Sequence, residues 1–150
     1  MSIMNTPVTM HFTIEELCAS DTAKAKGISN KPNMQQMINL VYLAAYVLEP
    51  LRVAMGESIK ISSGFRSEAL NKAVGGAFNS QHKKGQAADL CIDGNIEKGK
   101  RWFNYIRQHL PFDQLIWEHD KKGTYWVHVS YVFPDFGKNR RQVIDNLLKK

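Results

Sequence analysis

Ser80-Gln81-His82-Lys83-Lys84-Gly85-Gln86-Ala87-Ala88-Asp89 is the stretch from which the rest of the chain is best read. Gly85 permits a sharp turn after the two lysines, and the small residues that follow enter a strand running from Ala87 to Ile92. The turn lets the chain fold back far enough for His82 and Asp89 to converge on one cation.

Upstream, Ile59 to Ser63 alternates apolar and polar residues as a strand does. Gly64 then turns the chain, delivering Phe65 and Arg66 to the strand end. Ser67 is placed to cap a short helix that Gly75-Gly76 terminates. Further back, apolar residues recur at helical spacing from Met34 to Met55, forming the main core helix. Pro50 lies inside that pattern and predicts a kink or break, because proline removes a backbone donor and clashes with the preceding turn. Thr13-Ile14-Glu15-Glu16 fits a capping box, with a short helix to about Ala19.

Downstream, Asp93-Gly94 reads as a turn and Asn95 as the cap of a helix through about His109, with Trp102, Phe103, Ile106 and Leu110 on its apolar face. Gln114 to Glu118 and Tyr125 to Val132 are β-rich runs joined by a polar, glycine-containing connection, which predicts a hairpin. In its second strand Trp126, His128 and Ser130 share one face, while Val127 and Val129 share the other. The tail, Asn139 to Lys150, carries Val143, Ile144, Leu147 and Leu148 at helical spacing and predicts a final helix.

Zinc hydrolases commonly draw three ligands from His and Asp/Glu and leave one coordination position for water. His82, Asp89 and His128 fit that donor set if their strands share one sheet. His11, His109 and His119 have no ligand pattern around them and read as structural or surface residues.

Ser62-Ser63-Gly64-Phe65-Arg66-Ser67, the Ser80 to Asp89 segment and Trp126-Val127-His128-Val129-Ser130 occur in that order. Together they resemble the zinc D-alanyl-D-alanine carboxypeptidase family, whose fold is shared with the hedgehog signalling domain. The likeness runs from about His11 to Tyr131, and its most specific part is S-x-H-x-x-G-x-A-x-D. It implies an α+β, hedgehog/DD-peptidase-like fold with a small, mainly antiparallel sheet packed with helices. It also implies one Zn2+ ion on His82, Asp89 and His128, and hydrolysis of peptidoglycan stem peptides. The cut would remove a terminal D-alanine or fall within the stem, between L-alanine and D-glutamate.

The family's usual acid, three residues before the third ligand, is replaced here by Tyr125. Glu118, ending the first hairpin strand, is the candidate general base, and Asp120 the runner-up. By the same resemblance Arg66 holds a substrate carboxylate or the developing oxyanion. Ser80 and Gln81 read as partners that orient the ligands, as substrate contacts, or simply as turn residues. Trp117, Tyr125 and Trp126 read as packing residues or as a substrate wall.

At 150 residues, 43% hydrophobic and 23% charged, the chain suits one globular domain over 1–150 rather than a disordered or membrane-spanning chain. The longest apolar run, Leu40 to Leu48, is too short to span a bilayer. A net charge of +6 favours anionic partners. No nucleic-acid-binding module accompanies it, and pairs such as Lys83-Lys84, Lys121-Lys122 and Arg140-Arg141 read as solvated surface. Cys18 and Cys91 read as free thiols. Met1 to Met10 show no secretory signal, so synthesis in the cytoplasm, with later release to the wall as in a phage or prophage endolysin, is expected. A monomer is expected, and the rival reading is a zinc-binding interaction domain without catalysis.

Overall fold

The computed structural model describes residues 7–147. Helix α1 (Ile14–Cys18) starts at Thr13, whose hydroxyl accepts the Glu16 N–H, and α2 (Asp21–Lys26) starts likewise at Ser20. A reciprocal capping box forms at Asn33 and Gln36, where α3 (Met34–Leu43) begins. Pro50 does not break the long helix. A π-helical turn over Ala44–Leu48 widens the spiral just before it, and α4 (Glu49–Met55) carries the proline in its first turn, so the missing donor and the ring are absorbed without a break.

Strand β1 (Lys60–Ser63), α5 (Glu68–Ala73) capped by Ser67, β2 (Ala87–Cys91) and α6 (Ile96–His109) capped by Asn95 follow the pattern expected of the sequence. Strands β3 (Gln114–His119) and β4 (Tyr125–Ser130) form the predicted hairpin.

The tail departs from expectation. Gln142–Asp145 is a strand, β5, paired parallel with β3, where a helix over Asn139 to Lys150 was expected. Two β-branched residues sit in that run, and β3 has a free edge whose backbone groups it satisfies. The end of the expected helix, residues 148–150, lies outside the described residues, as do residues 1–6 of the amino-terminal segment.

The five strands form one sheet in the order β1-β2-β4-β3-β5, antiparallel except for the last pair. The expected α+β architecture, with a small, mainly antiparallel sheet packed with helices, is therefore observed. Alternation divides the sheet's residues between two faces. Leu90, Leu115, Trp117, Val127 and Val129 are buried with Trp102, Phe103 and Ile106 of α6, and Phe103 stacks on Trp117 at 5.5 Å. Leu40, Leu43, Ala44, Val47, Leu48 and Leu51 of the long helix are fully buried in the same core. That helix is long and apolar enough to cross a membrane by length and composition, yet it serves as the fold's core helix. Cys18 lies in the core, where burial pushes its thiol up to about 12.

Candidate metal centre

Asp89 on β2 and His128 on β4 are direct cross-strand partners, so their side chains leave the sheet side by side on the face opposite the core. His82 reaches them from a single 3-10 turn, Gln81–Lys84, capped by the Ser80 hydroxyl. Gly85 ends that turn with φ +73°, and a Cβ there would lie 2.5 Å from the Gln36 carbonyl oxygen, so only glycine lets the turn seat against α3. The positioning is reinforced by the Arg66 N–H, which donates to the His82 carbonyl at 3.0 Å.

One ligand atom from each of His82, Asp89 and His128 lies within 4.8 Å of the others, and all three residues are buried. His82 Nδ1 stands 2.7 Å from the Gly64 carbonyl oxygen. A carbonyl only accepts, so Nδ1 carries a proton and donates, which leaves Nε2 as the ring atom facing Asp89 Oδ1 at 3.2 Å. His128 Nδ1 faces the same carboxylate oxygen at 3.0 Å. Burial by itself would raise the Asp89 carboxyl, but His82 and His128 outweigh it and hold the group well below the usual carboxylate range. Without their protons, the same two ring nitrogens and the carboxylate oxygen between them would converge as donors on one cation. This N, O, N donor set therefore fits a divalent cation of zinc's preference.

Glu118 sits on β3 diagonally across from His128, with Oε1 3.7 Å from His128 Nδ1. Burial first, and the Asp89 charge second, push its carboxyl above its ordinary value. Asp120 is not beside the cluster. It lies at the exposed hairpin tip, where Oδ1 accepts the Lys122 and Thr124 N–H groups at 2.9 and 3.0 Å.

A cavity of about 350 Å³ opens onto the cluster and is lined by Arg66, Ser80, Gln81, His82, Glu118, His128 and Arg140, among others. Trp126 occupies the same sheet face, opposite Cys91 and Glu118, but does not line the cavity. Trp117 is in the core, and Tyr125 is stacked edge-on against it. Arg66 is heavily engaged: Nε donates to Ser63 Oγ at 2.9 Å, Nη1 to Asn71 Oδ1 at 3.1 Å, and Nη2 approaches Asp89 Oδ2 at 3.4 Å. It braces the Asp89 carboxylate from behind.

Two residues of the cavity region escape a sequence reading. Asp113 is buried, and Arg140 clamps it through Nε and Nη2 at 2.9 and 2.8 Å. Arg140 is thus not the plain surface cation that its pairing with Arg141 suggested. Arg141, by contrast, lies over the Phe112 ring and donates to the Leu110 and Arg107 carbonyls. No local pattern marks either role, since the partners are about thirty positions away in the chain.

The Arg140 side chain, by its hydrogen bonds, holds the Asp113 carboxyl below its ordinary value. A carboxylate whose folded pKa is depressed stabilises the fold above its unfolded pKa, roughly 4, and the contribution fades as pH falls through the folded value. Asp113→Asn is accordingly expected to lower stability at pH 7 by roughly 1 to 3 kcal/mol. The gap from the parent protein should narrow below about pH 4 in denaturant melts; a gap independent of pH would contradict the assignment.

Comparison with known proteins adds two findings. A family model described as peptidase M15 matches residues 10–130. Over 88 residues the chain is 39% identical to a zinc D-Ala-D-Ala carboxypeptidase of Streptomyces albus G, covering 57% of this chain and 32% of that protein. The chain therefore aligns with about a third of that relative's length.

Proposed function

The chain belongs to the peptidase M15 family, and from that membership we propose that it is a zinc-dependent peptidase acting on the stem peptides of peptidoglycan. The observation that carries the proposal is the convergence of His82, Asp89 and His128 in one buried cluster, with Glu118 beside them at a cavity open to a peptide. A zinc ion bound by these three side chains supplies Lewis acidity, polarising a carbonyl and making water easier to deprotonate.

The protein's own groups carry out the proton transfers. A Glu118 carboxylate oxygen takes a proton from the water that attacks the scissile carbonyl carbon. As the C–N bond breaks, the same oxygen returns that proton to the leaving amine nitrogen, so one carboxylate serves as base and then as acid. His82 is fixed in one tautomer by the Gly64 carbonyl, and Arg66 keeps the Asp89 carboxylate turned toward the two imidazoles.

The proposed substrate is a peptide stem, cut at the terminal D-alanine or between L-alanine and D-glutamate. Mass analysis of purified muropeptides after incubation, with and without a chelator, tests both halves of the proposal. The expected result is a single new peptide product that disappears with chelator and returns with added zinc. Intact muropeptides in every sample would refute it.

A further inference from the structure

The cavity has a wall beyond the family match, which ends at residue 130. Arg140 stands there, just before β5, locked onto Asp113. Its backbone N–H and Nε donate to Asp113 Oδ1, both at 2.9 Å, and Nη2 donates to Oδ2 at 2.8 Å. Asp113 Oδ2 also accepts the Gln81 side-chain N–H at 2.9 Å. That bond fixes the Gln81 amide and leaves its Oε1 buried without a partner among the described residues. An unpaired acceptor of this kind is disfavoured unless a ligand or water satisfies it. Gln81 and Arg140 both line the cavity that contains His82, His128 and Glu118.

The two arginines of this cavity differ in what they have free. All three guanidinium nitrogens of Arg66 face protein partners, and its side chain is 15% exposed. The Arg140 side chain is 58% exposed, and its Nη1 has no hydrogen-bond partner among the described residues. One edge of its planar fork is held rigid by a buried carboxylate, while the other remains open. A fixed guanidinium edge recognises a carboxylate by paired, charge-assisted hydrogen bonds.

We propose that Arg140 is a specificity-determining residue whose open guanidinium edge binds a carboxylate of the peptide substrate, with Asp113 positioning it. The inference rests on the peptidase reading above. In a stem peptide the carboxylate has two sources, the C-terminus and the free α-carboxylate of a γ-linked D-glutamyl residue.

Three synthetic peptides separate these sources: L-Ala-γ-D-Glu-L-Lys-D-Ala-D-Ala, its C-terminal amide, and its D-isoglutaminyl form. Binding of each to the zinc-loaded Glu118→Gln protein is measured by calorimetry, and KM and kcat are measured on the active enzyme, with and without Arg140→Gln. The unsubstituted protein is expected to bind one of the two amides about tenfold more weakly than the parent peptide. That difference should vanish in Arg140→Gln, with the parent's KM raised about tenfold and kcat within about twofold. Arg140→Lys keeps a cation against Asp113 and is expected to retain the fold while losing most of the discrimination, because a point charge lacks the fork. Its thermal melt separates misfolding from lost recognition. Equal binding of all three peptides by the unsubstituted protein, or full discrimination surviving in Arg140→Gln, overturns the proposal. Discrimination in the calorimeter without cleavage of any peptide would instead reject the peptidase reading and leave Arg140 as a carboxylate-binding residue.

Discussion

Asp89→Ala is expected to abolish stoichiometric zinc binding and, with it, all peptide hydrolysis. Asp89 is the member of the cluster that the other two share: one of its oxygens lies 3.2 Å from His82 Nε2 and 3.0 Å from His128 Nδ1. Without it, two neutral nitrogen donors remain, carrying no negative charge to offset that of a cation. Loss of an outer partner typically weakens a metal site 10- to 100-fold, and loss of the central charged ligand should exceed the upper end of that range. The substitution also leaves Arg66, 15% exposed, without the carboxylate it faces at 3.4 Å. Removing one member of a buried ion pair is destabilising by about 3–5 kcal/mol, discounted here because Arg66 keeps its bonds to Ser63 and Asn71. Thermal melts give a readout independent of turnover. Zinc should raise the unfolding temperature of the parent protein, since a ligand that binds only the folded state stabilises it, and should leave that of Asp89→Ala unchanged. One equivalent of tightly held zinc in Asp89→Ala would remove the cluster from the account.

Glu118→Gln should produce the complementary result. The side chain keeps its shape but can no longer accept the proton of the attacking water, so kcat is expected to fall by about 10²- to 10⁴-fold. Zinc content and the zinc-dependent rise in unfolding temperature should be retained, because Glu118 stands at the edge of the cluster, 3.7 Å from His128 Nδ1 and outside the three-residue donor set. Asp120→Asn provides the internal control. Its carboxylate caps the hairpin tip in solvent, and turnover should be essentially unaltered. If Asp120→Asn were inactive and Glu118→Gln active, the two carboxylates would exchange roles.

These two outcomes also separate a peptidase from a zinc-binding interaction domain on the same scaffold. The interaction domain requires Asp89 for its metal but is indifferent to Glu118.

Under the proposed mechanism, the acid that Tyr125 does not supply would come from the neighbouring strand. Tyr125 pairs with His119, while Glu118 pairs with Trp126, two places from His128 on the same sheet face. A carboxylate contributed from the neighbouring strand reaches the cluster that one placed three residues upstream would otherwise serve. Sequence reasoning could name Glu118 because a hairpin brings its two strand ends together. It could not give the register that separates Glu118 from Asp120.

What could be read from the chain alone was local. The alternation in Trp126-Val127-His128-Val129-Ser130, the glycine after His82 and the caps at Ser67 and Asn95 each depend on neighbours a few positions away, so donor types and most element boundaries were legible there. The pairing of β2 with β4 places Asp89 against His128, and the pairing of β5 with β3 carries Arg140 to the cavity wall; both are contacts between distant segments. Val143 and Ile144 fit a helical period in the tail as well as they fit a strand, and the choice was made by the unpaired edge of β3. Side-chain periodicity is a property of one segment, whereas sheet order and register minimise unsatisfied backbone groups over the whole chain, and so only the tertiary structure settles them.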